Sequence, residues 1–226
     1  MLELQLEQLR HVRNVRMSEE DLTQINSLPA LEKVVKACSH CPLHETRTQV
    51  VFGIGNPHSD LVFIGEAPGF NEDQKGEPFV GAAGRLLDEL LITVIGLARK
   101  DIYIANVLKC RPPNNRDPQP DEIDHCRPFL DKQIELIDPK VICTLGNHAT
   151  RAILKENINI SRIHGQPIQS GSRWIFPTYH PAAALYAGAI KQLLIEDFKK
   201  LGELLAEDTA PRRSADGAGA EQMGLF

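Results

Sequence analysis

The chain has 226 residues with 25 Lys and Arg against 30 Asp and Glu, a formal net charge of −5, and is 42% hydrophobic and 24% charged. Such values favour one globular domain with tails over a multi-domain chain, and they exclude a wholly disordered or fibrous protein. No apolar run approaches the ~20 residues of a membrane-spanning helix, and the opening MLELQLEQLRHVR lacks an apolar signal-peptide core, so a cytoplasmic protein with no membrane partner, close to the nucleoid in a prokaryote, is expected.

The charge is uneven. Residues 1–30 hold five acids and three bases, and residues 196–226 hold seven acids and four bases, so the middle of the chain is neutral. A neutral body leaves room for a local basic face, and Lys109, Arg111 and Arg116 lie close together in sequence.

In chain order, residues 1–30 read as a helical extension with a capping-box-like start at Ser18-Glu19-Glu20-Asp21. Pro29 then opens a helix in which Leu31, Val34, Val35 and Cys38 follow an i, i+3, i+4, i+7 pattern, which predicts Cys38 on its inward face. Four short apolar runs read as buried strands: 61–64, 102–105, 141–145 and 174–176. Helical patterns lie between them, at Leu87 to Val94, Ile123 to Ile137 and Asn147 to Leu154, and a long amphipathic helix follows the last strand to Leu205. Alternating strands and helices predict an α/β fold, a three-layer α/β/α sandwich around a four-stranded parallel sheet, over residues 31–206. Residues 207–226 are small, polar and aperiodic, the pattern of a flexible tail.

In such sheets ligands bind beyond the carboxyl ends of the strands. Those ends read Gly65-Glu66-Ala67-Pro68-Gly69, Asn106, Gly146-Asn147-His148 and Thr178-Tyr179-His180-Pro181. Cysteine gives a second pattern. Cys38 and Cys41 form a C-x2-C pair, Cys110 and Cys126 flank a loop with four prolines, and Cys143 falls inside a strand as a core residue. Without an export signal these are poor disulfide candidates. Four thiolates suit a tetrahedral zinc ion or a [4Fe–4S] cluster, and spacing leaves both open.

The C-x2-C pair, GEAPG, GEPFVG, NVLKCRPP, Cys126 and YHPAA, in that order, resemble the family-4 uracil-DNA glycosylases over roughly residues 35–200. The resemblance implies a DNA-repair enzyme that hydrolyses the bond between uracil and deoxyribose and carries a [4Fe–4S] cluster on Cys38, Cys41, Cys110 and Cys126. It implies Glu66 and His180 as catalytic residues, in a pocket completed by Gly65, Ala67, Phe79 and Asn106. A related branch that traps its DNA covalently carries Gln after the Gly-Glu of the first motif; Ala67 stands there in this chain, which favours turnover.

The residue types suit that chemistry. Phe79 offers a flat face for a flipped base, and the Asn106 amide can accept from uracil N3–H and donate to O4, a pattern cytosine reverses. Glu66 can activate water beside an oxocarbenium-like sugar, and His180 can donate to uracil O2 as anionic charge develops. Lys109, Arg111 and Arg116 are candidate phosphate contacts, and Leu185 is either a wedge into the gap left by the flipped base or a core residue. The tail ends in QMGLF, which resembles the short motif that binds DNA sliding clamps, with Gln222, Met223, Leu225 and Phe226 as the contacting residues. Uracil-containing DNA is the expected substrate, and the chain is expected to act as a monomer. Rival readings are a non-catalytic uracil-DNA binder, a zinc-stapled α/β protein acting on nucleotides, and a glycosylase of broader base specificity.

Overall fold

The computed structural model describes residues 22–207. The start at Ser18 to Asp21 and the terminal motif with Gln222, Met223, Leu225 and Phe226 lie outside the described residues. The elements run α1 (Leu28–Lys36), α2 (Leu43–Thr46), β1 (Ile54–Gly55), β2 (Leu61–Gly65), α3 (Phe70–Lys75) and α4 (Ala82–Leu90), which continues into a π turn at Leu91–Ile95. They continue with β3 (Tyr103–Asn106), α5 (Pro120–Ile137), β4 (Val141–Leu145), α6 (Gly146–Leu154), α7 (Ile160–Ile163), β5 (Ile168–Ser170), β6 (Arg173–Thr178), α8 (Pro181–Ala184) and α9 (Gly188–Ala206). Among the described residues, no helix is long and apolar enough to cross a membrane.

The strand order is β1-β3-β2-β4-β6-β5. The expected parallel centre is present as β3, β2, β4 and β6, and two short antiparallel strands, β1 and β5, extend it to six. Alternation along each buried strand sends side chains to two helical layers. Leu61 and Phe63 pack with Leu87, Leu90, Phe198 and Leu201 on one face. Val62 and Ile64 pack with Leu130, Ile134 and Ala149 on the other. Cys143 is fully buried in the first of these cores, as its place in a strand predicts.

Two expectations need correction. The helix α1 ends at Lys36 with Ala37 as its cap, so Cys38 is not on a helical face. It lies just past the helix, half-buried against a third apolar cluster built on Leu31, Val35, Leu43, Phe52 and Phe129. The boundary expected at residue 30 falls inside α1, whose Leu31 and Val35 anchor that cluster.

Candidate active site

Parallel pairing puts Gly65 directly beside Asn106, at the carboxyl ends of β2 and β3. The ladder continues past both strands, since Val107 N–H donates to the Gly65 carbonyl at 2.9 Å and Leu108 N–H to that of Glu66 at 3.0 Å. Position 65 must be glycine for a steric reason: a Cβ there would stand 2.3 Å from Asn106 Oδ1 and 2.8 Å from the Phe79 ring. Glu66, Ala67, Phe79, Asn106, Arg116 and His180 all line one cleft of about 360 Å3.

The walls of this cleft are held by hydrogen bonds. Phe79 has φ of 54°, in the left-handed region, where a bulky residue costs about 1–3 kcal/mol unless its surroundings hold it. Arg99 supplies that hold, donating to the Phe79 carbonyl at 3.1 Å and to the Pro78 carbonyl while pairing with Asp88. The Glu72 carboxylate accepts from the next two N–H groups, Val80 and Gly81, both at 3.0 Å.

His180 caps α8, its Nδ1 accepting from Ala182 N–H at 3.1 Å. Burial pushes its pKa down to about 4. A neutral ring that accepts at Nδ1 carries its proton on Nε2. The ring stacks on Phe79 with centroids 5.5 Å apart.

Burial pushes the Glu66 carboxyl above its ordinary range; the nearby His148 pulls it back and Asp117 pushes it further up. His148 Nε2 lies 4.0 Å from Glu66 and 3.7 Å from Asp117. His148 was visible in the sequence as a polar strand-end residue at the start of α6, but its approach to Glu66 was not. Asp117 comes from the proline-rich loop, and no sequence signal tied it to Glu66.

The predicted DNA contacts separate. Lys109 is not a surface cation: its side chain is 1% exposed, and Nζ donates to the Asn106 carbonyl at 2.8 Å. That overturns its assignment as a phosphate contact, since no phosphate reaches a buried ammonium. Arg116 lines the cleft but forks onto Glu122, at 2.6 and 2.9 Å. Arg111 is partly exposed; its Nε donates to Asn115 and its guanidinium sits 5.1 Å from the centre of the exposed Phe70 ring. Leu185 is 42% exposed, which excludes the core alternative, and the adjacent Tyr186 is also exposed.

Cys38, Cys41, Cys110 and Cys126 line a second, smaller pocket together with Lys109 and Phe129. Burial raises the pKa of each thiol, and nearby thiols raise it further, with Cys126 pushed up to about 12. Each thiol has one donor against this: the His40 and Leu43 backbone for Cys38 and Cys41, and Arg47 Nη1 for Cys110 and Lys109 N–H for Cys126, these two at 3.2 Å. Four thiols that disfavour one another's ionised forms in an apolar setting fit a cationic centre that would neutralise them.

The sequence matches the family model for the Uracil DNA glycosylase superfamily over residues 52–201. It is 48% identical to the type-4 uracil-DNA glycosylase of Archaeoglobus fulgidus, covering 80% of this chain and 94% of that protein. It is 47% identical to the type-4 enzyme of Sulfurisphaera tokodaii, covering 80% and 86%, and 44% identical to that of Thermotoga maritima, covering 77% and 92%. On a family match across the whole sheet and identities of this size along most of its length, the chain belongs to the type-4 uracil-DNA glycosylases.

Proposed function

We propose that the chain hydrolyses the N-glycosidic bond of uracil in single- and double-stranded DNA, releasing the base and leaving an abasic site. One observation carries the reading: Glu66, Phe79, Asn106 and His180, from three strand ends and one loop, face a single cleft of about 360 Å3. A base must be rotated out of the duplex to reach it, at a cost of a few kcal/mol. Stacking on Phe79 and two hydrogen bonds to the Asn106 amide offset that cost for uracil, while cytosine would leave the same amide mispaired.

As the bond breaks, negative charge collects on the base and positive charge on the sugar. Neutral His180 donates from Nε2 to uracil O2 and need not give up its proton, so the donor strengthens as charge develops. Ionised Glu66 orients the attacking water, accepts its proton and faces the cationic sugar. The cleft wall holds no lysine among the described residues. Ala67 favours turnover over covalent trapping. Arg111 and Leu185 are the remaining candidates for backbone contact and wedge.

Cys38, Cys41, Cys110 and Cys126 would hold a [4Fe–4S] cluster. Among the described residues, the groups whose ligand atoms gather within 4.8 Å include no trio of these sulfurs, whereas thiolates on one zinc stand roughly 3.8 Å apart for bonds of ~2.3 Å. When bound, the cluster supplies a covalent staple across residues 110–126, and the hydrolysis draws no electron from it. The terminal Gln222, Met223, Leu225 and Phe226 would dock on a sliding clamp, with the enzyme acting as a monomer.

The test is anaerobic purification, iron and labile-sulfide analysis, then a uracil oligonucleotide assay read as free uracil and alkali-labile strands. Both signals are expected from loaded protein. Loaded protein that leaves deoxyuridine intact refutes the activity, and zinc without sulfide refutes the cluster.

A further inference from the structure

Lys109 is a fully buried cation that the reaction does not use. Moving an ammonium out of water costs far more than one hydrogen bond to a carbonyl returns. Beside it lies the thiol pocket of Cys38, Cys41, Cys110 and Cys126. Lys109 lines that pocket, and its own N–H donates to Cys126 Sγ at 3.2 Å. The other end of the same residue reaches the base-reading site, with Nζ 2.8 Å from the Asn106 carbonyl.

That carbonyl belongs to the peptide between Asn106 and Val107. Its N–H side is fixed by the Gly65 carbonyl at 2.9 Å, and its C=O side by Lys109. A peptide plane held at both edges fixes the direction in which the Asn106 side chain leaves the strand. Arg47 also donates to a cluster thiol, Cys110, but at 3.2 Å from a partly exposed position and with no bond to Asn106.

We propose that Lys109 is a positioning residue that ties the iron–sulfur site to the base-reading site: its backbone N–H holds Cys126 Sγ, its buried ammonium puts a cation on the wall of the thiol pocket, and Nζ clamps the Asn106 carbonyl. This rests on the reading that the four cysteines hold a cluster.

The experiment compares anaerobically purified holoprotein, wild type against Lys109→Met, Lys109→Gln and Lys109→Arg, by iron and sulfide content, cluster reduction potential and single-turnover uracil excision per loaded cluster. Loss of a cation beside the cluster disfavours an added electron, so the potential of Lys109→Met and Lys109→Gln shifts to more negative values, while Lys109→Arg stays near wild type. Lys109→Met also loses the clamp, and excision falls ~10- to 100-fold, the scale of a misplaced recognition group. The amide of Lys109→Gln keeps a donor for the Asn106 carbonyl, so its rate stays well above that of the methionine variant. An unchanged potential in the loaded methionine or glutamine variant overturns the placing of a cation beside the cluster, and an unchanged rate in loaded Lys109→Met overturns the clamp. If Lys109→Met does not fold, the potential of Lys109→Gln decides. A wild-type chain without iron and sulfide overturns the cluster reading and this one with it, whereas a loaded variant that behaves as wild type overturns this one alone.

Discussion

In the cleft at the strand ends, protein donors already hold three of the walls: Ala182 N–H on His180, Arg99 on the Phe79 loop, and Val107 N–H on the Gly65 carbonyl beside Asn106. In the thiol pocket, four acidic groups crowd an apolar space and push one another toward the protonated form. The first site is finished by the fold, and the second is finished only by a cationic centre. Damage to the cleft should therefore cost rate and spare stability, whereas damage to the thiols should cost local order first.

The largest expected effect is at Glu66. Glu66→Gln keeps the shape and removes the base, and single-turnover excision should drop by ~10²–10⁴ with iron content and melting temperature unchanged. A loss below about tenfold would remove Glu66 from the chemistry, since positioned acid–base groups contribute more than that.

Gly65→Ala sharpens the claim that the cleft is preformed. The new Cβ would meet Asn106 Oδ1 and the Phe79 ring at 2.3 and 2.8 Å, so the two recognition groups cannot both keep their places. A fall of ~10- to 100-fold in kcat/KM is expected, again without loss of iron. Wild-type kinetics would show that the cleft adjusts freely.

Cys110→Ala should reverse the pattern. Removing that thiol releases residues 110–126, the proline-rich loop and the first turns of α5, which gain protease sensitivity and lose DNA affinity. Each kcal/mol lost would lower Tm by ~2–4 °C in a chain of this size. Unchanged protease resistance in that loop would sink the staple.

The sequence exposed the cleft far better than the residues packed behind it. Strand-end logic put Glu66, Asn106 and His180 at one edge of the sheet, where they line one cleft, because a parallel sheet gathers its strand ends there whatever the loops do. The same logic had no purchase on Lys109: lysine is normally a surface residue, and only the turn of the chain after Asn106 brings its head back to that carbonyl. Cys38 was misplaced for a local reason, since the apolar period runs on past the point where the backbone stops being helical at Ala37. β1 and β5 were invisible because two and three residues are too short to show a period.

The smallest predicted effect separates the two neighbours of Glu66. In the proposed mechanism Glu66 works ionised, and burial together with Asp117 raises its pKa while His148 lowers it. Excision should therefore fall as pH drops through a carboxylate pKa lying above the ordinary range, with His180, at about 4, still neutral there. Asp117→Asn removes a negative charge, stabilises ionised Glu66 and moves this acid limb to lower pH. His148→Gln removes the group that favours the ionised form and moves it to higher pH. Both shifts should be modest and shrink with added salt, because the Asp117 side chain is 79% exposed and water screens it. Rates near neutral pH should hardly change, so the full pH–rate profile is the measurement. Two limbs moving the same way would show that Glu66 answers to the shape of the cleft and not to these charges.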